Sequence, residues 1–318
     1  MDTLEKTDWK ALAAEIAPFL AERAERHDAD GSFVADGYAL LKKRRFFSMA
    51  VPTDLGGGGA SHRELCETIA ILARACPSTA LSFSMHSHLV AATVWRYRNG
   101  KPAEALLRKI AANELVLVST GATDWVDANG EMTKVEGGYR VNARKVFSSG
   151  CSGADMMVTS SRFDGNVLHF AVPYAADGVT FLDDWDTLGM RGTGSNTVLL
   201  ENVFVPDEAI SLIRPQGQWP VAWTVAVTLA LPVLMSAYMG VAEEAAELAR
   251  TEARTKVDDP SMPYLLGELE NELEATRMAW QGMLENAAEY EFAPVVSTAN
   301  TALVRKTLCT KAAIATVE

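Results

Sequence analysis

The sequence predicts an α+β protein: an N-terminal helical domain, then a central antiparallel β-barrel or sandwich, then a C-terminal helical bundle. Three observations carry this. Apolar residues recur at helical spacing through the first third of the chain. Between Leu115 and Pro206 the period falls to near two, with turn residues at short intervals, which suits a closed or two-layered antiparallel sheet. Helical spacing then returns. The expected divisions are 1–114, 115–212 and 213–318.

Each element has its own signal. Trp9 to Arg26 places Leu12, Ile16, Phe19 and Leu20 on one face. Gly37 to Phe47 forms a second helix, ended by the turn Val51-Pro52-Thr53-Asp54-Leu55-Gly56-Gly57. In a third, Ser61 to Ala75, Ser61 is the N-cap and Glu64 completes a capping box. Pro77 to Arg98 and Pro102 to Asn113 follow, each opened by a proline whose missing N–H is harmless in a first turn. Met132 to Glu136 and Tyr139 to Ala143 flank Gly137-Gly138, a two-residue hairpin signal. Further strands are Met156 to Ser161, Val167 to Pro173, Val179 to Leu182 and Thr197 to Val205. After Pro206 come an uncharged apolar helix, then Glu243 to Lys256, Tyr264 to Glu291 and Thr301 to Val317.

The composition excludes several classes. With 29 basic and 41 acidic residues the net charge is −12 and the pI near 5.0, the wrong sign for nucleic acid or for polybasic docking to an anionic membrane. A chain of 318 residues can bury about 75% of its unfolded surface, so it needs no metal or disulfide staple. Cys66, Cys76, Cys151 and Cys309 lie far apart with no C-x-x-C pair, which points to reduced thiols and a cytoplasmic setting. Met1 to Lys10 has no apolar core and does not read as a signal peptide. Val221 to Val241 is long enough to span a bilayer. It contains Thr224, Thr228, Pro232, Ser236 and Gly240, however, and Glu243 and Glu244 follow it instead of a basic cluster. A buried core helix is the better reading.

Candidate chemistry is sparse in motif terms. Gly56-Gly57-Gly58-Gly59 lacks the Lys-Ser/Thr of a phosphate loop and reads as a flexible turn between helices. Leu188-Gly189-Met190-Arg191-Gly192-Thr193-Gly194-Ser195-Asn196 leads into a strand, which rules out a Rossmann turn, but its N–H groups, hydroxyls and Arg191 suit an anion as well as a plain turn. Asp183, Asp184 and Asp186 lack a hard-metal ligand pattern and read as a solvated strand end. Ser119-Thr120 and Ser148-Ser149 are hydroxyl-rich strand ends able to bond the edges of a heteroaromatic ring, although such residues also favour turns. His86 and His88, two apart on a helix, cannot share a face and do not make a metal pair.

Several of these stretches together resemble one family. Val51-Pro52 through Gly56-Gly57, Pro77-Ser78-Thr79-Ala80 and Met85-His86-Ser87-His88-Leu89 look like the N-terminal helical domain of acyl-CoA dehydrogenases. Glu136-Gly137-Gly138-Tyr139-Arg140-Val141-Asn142-Ala143-Arg144-Lys145 is similar to the hairpin that leads into the family's flavin strand. Trp185-Asp186-Thr187-Leu188-Gly189-Met190-Arg191-Gly192-Thr193, continuing to Asn202-Val203-Phe204-Val205-Pro206, resembles its second signature, and Glu268 to Arg277 a helix of its C-terminal bundle.

The resemblance implies FAD held between the β-domain and the C-terminal helices of a dimer or dimer of dimers. It implies that Ser119 and Thr120 bond the isoalloxazine, and that Ser148 supplies the hydroxyl near flavin N5. Val146 stands where many members carry a flavin-covering tryptophan. Thr123 matches a serine near the flavin phosphates or acyl-CoA, Arg254 an arginine that reaches the partner's pyrophosphate, and His86 a histidine facing the substrate cavity. The apolar residues Leu265, Leu266, Leu269, Leu273, Met278, Trp280 and Leu284 exceed one helix face and likewise suggest a homodimer or homotetramer.

The usual family reaction needs a carboxylate base opposite the flavin. In most members it lies in the last helices, beyond where this chain stops at Glu318; in a minority it sits where this chain has Ala230-Leu231. No base is visible, so three expectations follow in order. The first is an acyl-CoA dehydrogenase-like enzyme, C-terminally incomplete relative to the family, that passes electrons to an electron-transferring flavoprotein. The second is a two-component monooxygenase of the same fold, using FMN and a flavin reductase. The third is a non-catalytic relative that binds flavin or CoA.

Overall fold

The computed structural model describes residues 7–120 and 126–318. Asp8 starts α1 (Trp9–Asp30) by accepting the Ala11 N–H at 3.0 Å. Left-handed Gly31 ends the helix, which therefore runs past Arg26. Next come α2 (Ala35–Lys43), the single turn Phe46–Ser48, α3 (His62–Ala75), α4 (Pro77–Arg98) and α5 (Glu104–Asn113). The capping box of α3 is present as read, with both Ser61–Glu64 bonds made.

The glycine run is a turn, but a packed one and not the flexible loop expected. A Cβ at Gly57 would lie 2.3 Å from Val51, and one at Gly58 2.2 Å from the Trp9 ring. These glycines let the turn close onto the core.

The strands are β1 (Leu117–Ser119), β2 (Glu131–Val135), β3 (Gly138–Lys145), β4 (Met156–Phe163), β5 (Asn166–Pro173), β6 (Val179–Phe181), β7 (Val198–Pro206) and β8 (Ile210–Pro215). They form one sheet in the order β6-β7-β3-β2-β4-β5-β8, with β1 beside β4. Most pairings are antiparallel, but β1 runs parallel to β4, and β2 meets β4 in parallel at Glu131 and Arg162. A strand leaving the helical region is thereby inserted next to the sheet's middle.

The C-terminal helices are α6 (Val221–Ala253), α7 (Met262–Ala287) and α8 (Val296–Val317). The apolar helix and Glu243 to Lys256, expected as two helices, are one helix of 33 residues. What changes near Gly240 is its surroundings, not its backbone. A Cβ at Gly240 would stand 2.2 Å from the Ala70 carbonyl oxygen, so the glycine lets α6 touch α3. Pro232 sits inside α6 and lacks the N–H that would bond the Thr228 carbonyl; nearby, the His62 ring donates to the Leu229 carbonyl at 3.1 Å.

Helices from both ends of the chain share one core, including Ile69, Phe83, Val233, Met239, Met283 and Cys309. The sheet has its own, with Val141, Met157, Phe170, Leu200 and Val203. Helix α6 is long and apolar enough to cross a membrane, yet 78% of its most apolar window is buried in this chain. The four cysteines are buried and free.

Candidate functional site

The site is built where α4 runs alongside β1. His86 is 1% exposed, and both its ring nitrogens are occupied. A carbonyl can only accept and an amide only donate, so Nε2–H donates to the Phe47 carbonyl at 2.7 Å and Nδ1 accepts the Leu117 N–H at 3.0 Å. Burial pushes its pKa down to about 4. This corrects the expectation that His86 faces a substrate cavity: it is a neutral core residue that joins α4, the Phe46–Ser48 turn and β1.

The histidine that reaches the strand end is His88. Its Nε2 lies 2.9 Å from Ser119 Oγ, with both side chains half-buried. Burial also lowers its pKa to about 4, so near neutrality it is an uncharged hydrogen-bonding group. Two residues apart on a helix, the histidines point differently, yet both meet β1 because the strand lies against α4.

Beside this pair, Thr120 Oγ1 meets Thr159 Oγ1 at 2.7 Å, and the next β4 residue, Ser160, accepts at its carbonyl from Lys145 Nζ at 2.6 Å. Neighbouring residues of β4 thus tie the end of β1 to the end of β3. Past Lys145 the chain kinks at Phe147, whose φ is 55°. Its ring is 54% exposed and stands edge-on to Trp185, centroids 6.1 Å apart. The kink turns Ser148 inward: fully buried, its hydroxyl donates to the Lys145 carbonyl at 3.3 Å. Phe147 is the open side chain here, with Val146 and Ser149 half-buried.

The loop from Leu182 to Asn196 folds back over this strand end. Gly150 N–H donates to the Thr193 carbonyl at 2.9 Å and Ser148 N–H to the Asn196 carbonyl at 3.2 Å. Thr193 Oγ1 donates to the Met190 carbonyl, which orients a chain of hydroxyls in which Ser195 donates to Thr193 and Ser149 to Ser195, each within 2.8 Å. Arg191 is not poised for an anion. It donates to the Asp28 and Thr187 carbonyls and to Asp186, at 2.7 to 2.9 Å, and so ties the loop to α1. Asp184 accepts the Thr197 N–H at 2.8 Å, which holds its carboxyl below the ordinary range. No group of metal-binding side chains occurs among the described residues.

The remaining sequence candidates lie apart. Arg254 is exposed at the end of α6, 3.8 Å from Glu247. Thr123 falls outside the described residues. Ala230 and Leu231 are buried on α6. Glu114 is the one buried carboxylate among the described residues, and it is bonded to Ser48 and paired with Arg45 at 3.7 Å. Sequence reasoning missed His88, Phe147 and Thr159 as site residues. Met85-His86-Ser87-His88-Leu89 held the first signal; the other two depend on the kink and on the β1–β4 pairing.

Residues 6–114 match the family model for the acyl-CoA dehydrogenase N-terminal domain. The isovaleryl-CoA dehydrogenase of Arabidopsis thaliana mitochondria is 28% identical over 203 residues, covering 60% of this chain and 50% of that protein. The chain has an acyl-CoA dehydrogenase-like fold, and its N-terminal helical region matches that family's N-terminal domain. A dibenzothiophene monooxygenase of Mycolicibacterium goodii is 30% identical over 202 residues, covering 58% of this chain and 47% of that protein. FMN-bound TdsC from Paenibacillus sp. A11-2 superposes with a TM-score of 0.84 at 20% identity, over 96% of this chain and 84% of that one. The chain spans about half the length of the curated relatives it matches. The fold family therefore includes dehydrogenases and monooxygenases on one scaffold.

Proposed function

We propose that this protein of acyl-CoA dehydrogenase-like fold is a flavin-dependent oxidoreductase, and that it works as the oxygenase of a two-component monooxygenase on a small molecule. The observation that carries the reading is the His88–Ser119 pair, 2.9 Å apart at the strand end. Dehydrogenation of a thioester asks for a base able to take an α-proton near neutral pH. His88, held at about 4, stays neutral and is not such a base; in the family that role belongs to a carboxylate, so His88 favours the oxygenase only by what it can offer there. Its imidazole is suited to donating or accepting one hydrogen bond in a half-buried place.

The residues present fit a flavin. The strand ends supply the hydroxyls of Ser119, Thr120 and Ser149 for the oxygen and nitrogen edges of a heteroaromatic ring, and Phe147 supplies an exposed apolar face. When bound and reduced, FMN would bring the electrons that divide dioxygen between substrate and water. Ser119 and Thr120 would hold the ring edge, Val146 and Phe147 would cover it from water, and His88 would hold a proton at Nε2. Likeness to dibenzothiophene monooxygenase supports this reading. Likeness to isovaleryl-CoA dehydrogenase supports the second, α,β-dehydrogenation with FAD and an electron-transferring flavoprotein.

Flavin binding is tested by titration. FMN or FAD should bind with a red-shifted, partly quenched spectrum, and Ser119→Leu should weaken binding by about tenfold, the worth of one or two hydrogen bonds. Protein that leaves both spectra unchanged would defeat the proposal.

We also expect self-association through the C-terminal helices. Of the apolar residues on α7, Leu273, Trp280 and Leu284 are buried, while Leu265 and Met278 are 51% and 65% exposed. On α8, Val304 and Leu308 are at least half exposed, four residues apart on one face. Such a stripe marks an interface. Sedimentation velocity at micromolar concentration should show a dimer or tetramer; a monomer would count against it.

A further inference from the structure

A cavity of about 190 Å³ opens at the seam between α2 and the turn that precedes β4, and none of its lining residues belongs to the hydroxyl cluster. Its floor is aromatic. Phe33 meets Tyr38 edge-on at 4.9 Å, and Tyr38 meets Phe47 edge-on at 5.3 Å. One wall is α2, where Ala35 and Ala39, four residues apart on one face, are too small to fill the space, and Lys42 stands one turn further along. The opposite wall holds Gly153, where a Cβ would come within 2.7 Å of both Phe33 and Tyr38, so only glycine lets this turn close against the rings.

The rim carries one cation with a weak hold. Lys42 Nζ is 3.4 Å from Asp155, and the two side chains are 45% and 41% exposed. The same Asp155 carboxylate accepts the Val116 N–H at 2.7 Å, a stronger bond that keeps it in place without the lysine. Lys42 is therefore the partner free to turn to another anion.

We propose that this cavity is a binding site for a small aromatic carboxylate, its single ring against Phe33, Tyr38 and Phe47 and its carboxylate on Lys42. An apolar cavity of about 150 Å³ accommodates benzene, so the space suits one ring with a short substituent. Edge-on aromatic walls favour a flat π-face over a branched chain. The site also touches the strand that leads to the candidate active site: Val116 lines the cavity, Leu117 is held by His86, and Ser119 meets His88. Phe47, on the floor, accepts from His86 through its carbonyl. An occupant would thus rest against the elements that place β1.

The test is a fluorine NMR titration of the protein with 4-fluorobenzoate, with 4-fluorobenzyl alcohol as its uncharged counterpart. The expected result is saturable broadening of the benzoate signal, with the alcohol and the Lys42→Met variant each binding about tenfold more weakly, as loss of one charge contact implies. Ala39→Phe, which fills the cavity from an exposed helix position, should abolish binding. If near-ultraviolet circular dichroism shows that variant misfolded, Ala35→Leu fills the same space. Absence of saturable binding, binding unchanged in Lys42→Met, survival in a folded cavity-filling variant, or loss on adding FMN would each overturn the proposal.

Discussion

Replacing His88 with alanine is expected to lower product formation by about 100-fold or more, the usual worth of one preorganised hydrogen-bonding group in a site, while flavin affinity changes little. The imidazole meets Ser119 at 2.9 Å and carries no charge near neutrality, so its removal takes away one directed hydrogen bond and leaves the net charge of the site as it was. Oxidation of reduced flavin should continue in the variant, with the oxygen released as peroxide and not placed in product. Asparagine at 88, which keeps a donor and an acceptor, should recover part of the coupling. Because burial holds the wild-type pKa at about 4, His88 contributes no activity limb between pH 6 and 7. Product formation per flavin oxidised, measured with an independent reductase, checks both statements. Full coupling in His88→Ala would remove His88 from the mechanism.

The second large effect belongs to His86. His86→Leu leaves the Phe47 carbonyl and the Leu117 N–H unpaired in the interior, each at a cost of roughly 1–3 kcal/mol. Against a typical total of about 5–15 kcal/mol, the variant should unfold at clearly lower urea. The effect has a pH signature. A folded-state pKa near 4 against 6.5 in the unfolded chain means that the unfolded state binds the extra proton between those values. The wild-type contribution is complete above 6.5 and is lost as pH falls toward 4, by an amount on the order of 3 kcal/mol. The stability gap between wild type and variant should therefore narrow on acidification. Urea melts at neutral pH and near pH 4.5 measure it. A gap that widens would mean His86 is charged in the folded state.

Local signals made much of the fold legible. Pro77, the Ser61–Glu64 box and the Gly137-Gly138 hairpin need only nearby residues, and each element they mark is present. Elements defined by distant neighbours were not legible. Strand β1 has three residues, too few to show alternation, and exists because β4 and α4 flank it. Strand β8 does alternate in burial but follows Pro206, after which no further strand was expected, and it crosses residue 212, the expected end of the β-domain. The joint between the apolar and charged parts of α6 looks like a boundary because α3 covers one part and solvent reaches the other.

The site divides in the same way. Ser119 and Thr120 could be read as a hydroxyl-bearing strand end, but their partners His88 and Thr159 come from other elements. His86 and His88 are equivalent by spacing, and only the path of β1 along α4 gives one to the core and the other to the strand end. The inward turn of Ser148 follows from the kink at Phe147, for which no glycine or proline gives warning.

What reduces the flavin tests the central claim most directly. The protein, loaded with oxidised flavin, is mixed without oxygen with acyl-CoA thioesters of short, branched and long chain, and the flavin absorbance is followed. A site built around a neutral His88 and hydroxyls should leave the flavin oxidised with every thioester, and reduced flavin from a separate reductase should then be consumed once oxygen is admitted. Rapid anaerobic bleaching by any one acyl-CoA would contradict the oxygenase reading and establish the dehydrogenase in its place.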